Sequence, residues 1–370
     1  MSSPVRLSEI WKKKGILQMK KQTILCTGGC GFIGTNITLE AVKRGYRVIV
    51  MDSLIRRGTE ENLKLLQKTD NVEILRGDVR NMHDFERSPL PDAIINLAAN
   101  PGIPWSVLWP VYDFEVNARG AINVLEYSRI MSKQVGHKIP VIQASTNKVY
   151  PDSINDIPLE EKETRYSYKN EGSGVDFQNG ISEDFPIDAS DKYHHSPYGA
   201  SKLAADQYCL EYNRQFGVPV VVNRMSCIYG YHQKGVADQG WIDHFVRQVA
   251  FGNGKLDIFG DGKQVRDMLW GGDVAKLYLD ELENIDKVNG KVFNVGGDND
   301  NTLSLIESIV IIENLSGKKA ILTHKDWRPA DQKVYISDTR KLKEILGWQP
   351  TITPAQGVGR MIRRYKKEGL

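Results

Sequence analysis

The sequence lacks several things, and each lack excludes a class of protein. No apolar run approaches the roughly 18 residues that cross a bilayer as a helix, so no membrane span is expected. Low-complexity tracts are absent, which excludes a disordered linker. Only four cysteines occur in 370 residues, and Cys26, Cys30, Cys209 and Cys227 stand in apolar or helix-like contexts without a CxxC pair. Neither a disulfide framework nor a cysteine zinc site is expected, and a reducing cytoplasm is the expected home. Charge of one sign is also missing: 49 Lys+Arg against 46 Asp+Glu leaves +3, spread along the chain. Nothing there grips a polyanion, so no nucleic acid is expected as a partner. The seven histidines are scattered. His194 and His195 are neighbours without a third ligand at metal spacing, so no metal site is expected.

What is present belongs to a folded enzyme-sized chain. At roughly 150 residues per domain, 370 residues predict about two domains. Residues 1–18 are polar, and Lys12, Lys13 and Lys14 follow a small apolar cluster instead of preceding one. That is not the order of a secretory signal, so these residues are set apart as an N-terminal extension, with the first domain starting at 19.

The string TILCTGGCGFIG reads as a buried strand, a glycine turn and a helix start, and the strand YRVIVMD follows after Gly45. Gly28, Gly31 and Gly34 fall at GxxGxxG spacing in this β-α-β unit. Such glycines allow a tight turn, close approach of the backbone to a pyrophosphate and close packing of helix on strand. Asp52 ends the second strand, where an acidic group bonds a ribose 2′-hydroxyl and repels a 2′-phosphate. NAD is therefore the expected cofactor, with Arg56 and Arg57 weighing toward NADP. Apolar strands at 71–79, 92–99, 139–145 and 218–224 alternate with helices, including long ones at 111–131 and 197–216. This alternation predicts a doubly wound α/β fold around a parallel sheet. Ligands of such sheets lie beyond the carboxyl ends of the strands, which singles out Asp78, Ala98, Ala99, Asn100, Ser145, Thr146 and Arg224.

Residues 196–202, Ser-Pro-Tyr-Gly-Ala-Ser-Lys, open a helix with Ser196 as cap and Pro197 in the first turn. Tyr198 and Lys202 then share one face at i and i+4. A cation near a phenol favours the phenolate and brings it toward the range of a general base.

Together TGGCGFIG, Asp52, GDVR, NLAA, Asn117, ASTNKVY, YGASK and VRDMLW resemble the extended short-chain dehydrogenase/reductases that modify nucleotide-sugars. The resemblance covers nearly everything after Met19. It implies a Rossmann-type NAD domain at 19–230, with an insertion at about 152–194, and a smaller mixed α/β substrate domain at 231–370, the chain crossing between the two. By it, Tyr198 is the acid/base, Lys202 holds the nicotinamide ribose and tunes Tyr198, and Thr146 bonds the reacting hydroxyl. Gly28, Gly31, Phe32, Ile33, Gly34, Asp52, Asp78, Val79, Ala98, Ala99 and Asn117 line the cofactor, Asp78 and Val79 at adenine. Asn147, Lys148, Arg224, Gln239, Arg266, Arg328 and Asp331 face the substrate. Arg266 and Arg328 are the expected diphosphate ligands, because a guanidinium fork matches phosphate oxygens. The alternative for Arg266 is a surface pair with Asp267. Trp241 is a weaker candidate, since a lone Trp is more often core.

Thr146 is followed by Asn147 and Lys148, where nucleotide-sugar 4,6-dehydratases carry a carboxylic acid for elimination. That argues against a dehydratase. STNKVY, ETRY, HSPYGASKLAADQY, DQGW and GDGKQVRD look like the CDP-tyvelose (CDP-paratose) 2-epimerases, although the stretch between ETRY and HSPYG is long for that group. The resemblance implies a redox-neutral epimerase of a CDP-linked sugar, assembled as a homodimer or homotetramer. A 4-epimerase of UDP- or GDP-sugars and a catalytically silent NAD-binding regulator are the alternatives.

Overall fold

The computed structural model describes residues 22–56, 58–169, 177–237, 239–328 and 331–369. The extension 1–18, Arg57 and part of the insertion, 170–176, lie outside the described residues.

The apolar runs read from the sequence pair side by side. β1 (Thr23–Thr27), β2 (Arg47–Asp52), β3 (Val72–Arg76), β4 (Ala93–Asn96), β5 (Val141–Thr146), β6 (Val220–Met225) and β7 (Lys291–Val295) form one sheet in the order β7-β6-β5-β4-β1-β2-β3. Every pairing in it is parallel. Helices α1 (Phe32–Lys43), α2 (Gly120–Val135), α3 (Pro197–Phe216) and α4 (Gly271–Glu283) cover its faces. Alternate side chains of a strand point to opposite faces. Ile24, Cys26, Val50 and Ile142 pack with Ile37 of α1 and Leu277 of α4, whereas Leu25, Ile49, Ile94 and Val141 pack with Val124 of α2 and Cys209 of α3. Burial on both sides is why these strands read as unbroken apolar runs.

The long helix expected at 111–131 runs from Pro110 to Val135, with a π-turn at Glu115–Arg119 leading into α2, and a short helix, Ile103–Leu108, precedes it. Pro110 has no N–H to continue the preceding helix, and Trp109 before it leaves helical geometry at φ −135° and ψ 62°. The strand at Lys291–Val295, assigned from sequence to the C-terminal unit, is the edge of the central sheet and pairs with β6. The chain thus returns to the first sheet after leaving it.

Beyond β6 the strand Val265–Trp270 pairs antiparallel with Thr302–Ser304 and parallel with Val334–Tyr335 and Cys227–Tyr229. Its Met268 and Trp270 pack with Phe245, Leu256, Ile312 and the helix α5 (Pro354–Lys367), through Met361 and Tyr365. The polar insertion has an apolar underside. Its hairpin Leu159–Glu161 with Tyr166–Tyr168 places Tyr166 against Val265, Val334 and Ile336, and Phe177 and Ile181 pack with Tyr150 and Tyr335.

Candidate active site

Strand order reverses between β1 and β4, so the loops leaving them diverge to opposite faces and open a crevice. Gly28 turns there with φ +66° and donates its N–H to the Met51 carbonyl at 2.8 Å. A side chain on it would meet the Ala98 backbone at 2.8 Å, so the loop after β4 closes directly on the glycine turn. Gly34 sets α1 against that turn: a Cβ there would stand 2.5 Å from the Gly29 Cα. Phe32 and Ile33 are the first residues of α1, which no side chain caps, so its leading N–H groups face the turn. Asp52 accepts the N–H of Cys30 at 3.0 Å and of Leu54 at 2.9 Å, and burial raises its pKa against those two bonds. A bare helix N-terminus beside a glycine cradle and a carboxylate fits the pyrophosphate and ribose of NAD. Arg56, which weighed toward NADP, reaches away from this carboxylate and hydrogen-bonds Gln239.

The other cofactor candidates sit around the same crevice. Asp78 receives the Arg80 side chain at 2.7 Å; burial raises its pKa, but the Arg80 bonds prevail and hold it below the usual carboxylate range. Val79 packs on Gly120, where a Cβ would lie 2.6 Å away. Asn117 accepts the Asn100 N–H at 2.8 Å and donates to the Ser201 hydroxyl at 2.9 Å, pinning the loop that carries Ala98 and Ala99 to α3.

β5 delivers Thr146, and α3 delivers Tyr198 and Lys202. Ser196 caps α3 by accepting the Gly199 N–H at 3.1 Å, as the sequence predicts. Gly199 lets this first turn lie against the Lys148 carbonyl, where no Cβ would fit. Tyr198 is thereby brought near Thr146, whose hydroxyl favours its ionised form. Burial nevertheless pushes the phenol up to about 12; Thr146 and Arg56 lower it, Asp113 and Asp206 raise it. Lys202 is buried, donates to the Ala144 carbonyl at 2.6 Å, and is lowered by burial against Asp206 and Asp113. Among the protein groups, burial raises the phenol by more than Thr146 and Arg56 lower it.

On the substrate side, the Asn147 amide and the Lys148 ammonium both donate to the Gln332 side-chain oxygen, at 3.4 and 2.8 Å. Burial and Arg266 pull Lys148 down to about 8, against Asp331 and Cys227. Arg266 pairs with Asp331 at 2.6 Å, not with Asp267, which is buried under Ser226 and Ser337. Arg328 lies over the Phe259 ring at 3.9 Å and donates to the Ala237 carbonyl. Trp241 stacks edgewise on Phe245 at 5.3 Å. Arg224 is a correction: it is 3 % exposed, paired with Asp206 at 3.0 Å and bonded to the Tyr150 hydroxyl, so it lies beneath the crevice and is spent on internal partners.

Asp113, Asp206 and Gln332 were missed. Asp113 accepts the Ser201 hydroxyl at 2.6 Å across 88 residues, and Gln332 meets Lys148 across 184, separations that no local pattern spans. Asp206 carried a signal, since it continues the four-residue spacing of Tyr198 and Lys202.

Residues 24–174 and 177–296 match the NAD dependent epimerase/dehydratase family. The chain is 39 % identical over 345 residues to the CDP-paratose 2-epimerase of Salmonella typhi, covering 91 % of this chain and 97 % of that protein. Among solved structures, UDP-glucose 4-epimerase of Thermotoga maritima with UDP-glucose superimposes with a TM-score of 0.77 at 26 % identity, over 94 % of this chain and all of that one (100 %). The NAD complex of Thermus thermophilus UDP-glucose 4-epimerase gives 0.71 at 25 % identity, over 93 % and 99 %.

Proposed function

This chain belongs to the NAD dependent epimerase/dehydratase family, and on that premise we propose that it inverts C2 of a CDP-linked deoxyhexose of the paratose/tyvelose type. The observation that carries this reading is the Thr146-Asn147-Lys148 turn. Two nitrogen donors fastened to Gln332 occupy the place where elimination needs a carboxylic acid, so the site can exchange a hydroxyl proton but cannot expel water. Near full-length identity to a CDP-paratose 2-epimerase supports the choice of carbon and nucleotide.

Thr146 orients the C2 hydroxyl toward Tyr198, and the Tyr198 phenolate, which the positive charge of bound NAD would favour against burial, takes its proton. NAD, when bound, would supply the hydride acceptor for that carbon and the source of the returning hydride. Lys202 holds the nicotinamide ribose from the floor of the crevice. Arg266 and Arg328 hold the diphosphate, and Asp331 the nucleotide ribose, so the transient ketosugar turns over while its anchor stays fixed. The returning hydride reaches the opposite face of the carbon, which inverts it, and Tyr198 gives the proton back to the oxygen. Residues after 230 supply this anchoring unit, except α4 and β7, which join the sheet that the residues up to 230 build for the cofactor.

We further infer a homodimer or homotetramer in the cytoplasm. Six large apolar side chains, Trp105, Val107, Leu108, Trp109, Val111 and Phe114, are each 53–72 % exposed on the helices beside α3. So much apolar surface in ten residues suits burial against a second copy. Incubation with CDP-paratose and, separately, UDP-glucose tests the assignment by NMR of the sugar. The expected result is a C2-inverted product from the CDP-sugar only. Conversion of UDP-glucose to its C4 epimer with the CDP-sugar untouched would replace this reading by the 4-epimerase one.

A further inference from the structure

Asp206 stands four residues beyond Lys202 and eight beyond Tyr198, on the same face of α3. Its side chain is fully buried, and no substrate atom could reach it. Around it lie Lys202 and Cys209 from its own helix, Ser145 from β5 and Arg224 from β6, while Asp113 from Pro110–Phe114, bonded to Ser201 of α3 at 2.6 Å, also acts on Lys202. Lys202 and Arg224 are thus set against Asp206 and Asp113, two buried cations against two buried anions.

From Asp206 a continuous chain of bonds leads outward. Arg224 donates from Nε to Asp206 at 3.0 Å and from Nη1 to the Tyr150 hydroxyl at 3.2 Å. Tyr150 donates to the Asn294 side-chain oxygen at 2.7 Å, and Asn294 lies at the end of β7. Asn294 donates its amide to the Ile181 carbonyl at 2.8 Å and its backbone N–H to the Glu183 carboxylate at 2.7 Å. Ile181 and Glu183 belong to the insertion before α3. Glu183 itself is faced by Lys341 and Asp338.

We propose that Asp206 is a positioning residue for the Lys202 ammonium, and that the insertion fixes Asp206 at a distance through Asn294, Tyr150 and Arg224. A single hydrogen bond, to the Ala144 carbonyl, would otherwise hold a long side chain in a buried place that disfavours its charge. Asp206 supplies charge that favours the protonated form of Lys202 against its burial, and Arg224, bonded to Asp206 at 3.0 Å, holds that carboxylate in place. A buried ion pair is weak evidence for stability alone, because desolvation offsets its attraction. The insertion then acts on the cofactor end of the site. This rests on the reading of Lys202 as the nicotinamide-ribose ligand.

The test uses full-length protein saturated with NAD, desalted at a series of pH values from 7 to 10, with the NAD retained per chain and the unfolding temperature both measured. Asp206→Asn is expected to lose half its NAD at a pH about one unit or more below the parent. Asp206→Asn/Arg224→Met, which removes both charges, is expected to recover the unfolding temperature but keep the lowered pH of NAD loss. Glu183→Gln is expected to move that pH in the same direction by less. Recovery of both properties together in the double variant would reduce Asp206 to a structural role and overturn the proposal. An unmoved profile in Glu183→Gln would overturn the part assigned to the insertion. Lys202→Met separates the two levels: if it retains NAD like the parent, the reading of Lys202 falls, whereas if it loses NAD at every pH and Asp206→Asn does not move, only the positioning role falls.

Discussion

Tyr198 carries the proposed chemistry through one atom, its phenolic oxygen. Tyr198→Phe removes that oxygen while keeping the ring on which Thr146 and the first turn of α3 are arranged. Its kcat is expected to fall about 10²–10⁴-fold with NAD content and unfolding temperature unchanged, and turnover near the parent's would remove Tyr198 from the mechanism. A second residue, unconnected with the reaction, reports on the core. Glu281 on α4 is fully buried with Asn223 as its partner at 2.7 Å, and burial raises its carboxyl to about 8, against the Asn223 bond. The folded state therefore binds a proton that the unfolded chain releases at ordinary carboxylate pH. The stability from this group is full below that ordinary range and is lost as pH rises through about 8. Glu281→Gln should match the parent in thermal unfolding at pH 5 and exceed it by about 3 °C or more at pH 9; a uniform offset at both pH values would contradict the assignment. At this scale the sequence reveals residues whose partners are near in the chain. Tyr198, Lys202 and Ser196 share one helical turn or two. Asp113 and Gln332 meet their partners only because the fold brings distant segments together.

Elements were legible where a single physical cause shapes them. α3 begins at Pro197 and ends before Gly217, whose φ of +63° stops it, and both signals stand in the sequence. The glycine turn was equally readable, because each glycine meets a steric demand. Gly34→Ala forces a methyl against the Gly29 Cα and Gly28 carbonyl, 2.5 and 2.6 Å away. About 1–3 kcal/mol of stability should be lost together with retained NAD, read by thermal unfolding and by the cofactor content of the purified protein. Wild-type values for both would mean that the close packing is relaxed elsewhere. The insertion was less legible. Its Asn, Gly, Asp and Ser content reads as loop, yet Arg165 in its hairpin donates to Glu307 at 2.7 Å and to Thr302 at 3.0 Å. Tyr166 and Phe177 anchor it from below. Such anchors depend on a surface more than 100 residues away, which composition does not express. Lys291–Val295 was misplaced for the same reason, since a five-residue apolar strand carries no mark of the sheet it will join.

For the whole molecule, the near balance of charge leaves no field to attract a polymer, and the cations at the substrate side are few and local. The large exposed apolar surface beside α3 is the feature that a lone chain does not explain. Trp109→Glu places a charge in that surface, far from Tyr198 in sequence and between two helices of which neither carries Tyr198. Light scattering should then report a shift toward monomer from the dimer or tetramer proposed for the parent; an unchanged mass would place the interface elsewhere. The central claim is that one carbon is oxidised and reduced in place. CDP-paratose carrying deuterium at C2, converted in ordinary water, tests it directly by NMR and mass of the product. Retention of deuterium at the inverted C2 is the predicted result, and its replacement by solvent hydrogen would contradict hydride return and with it the account.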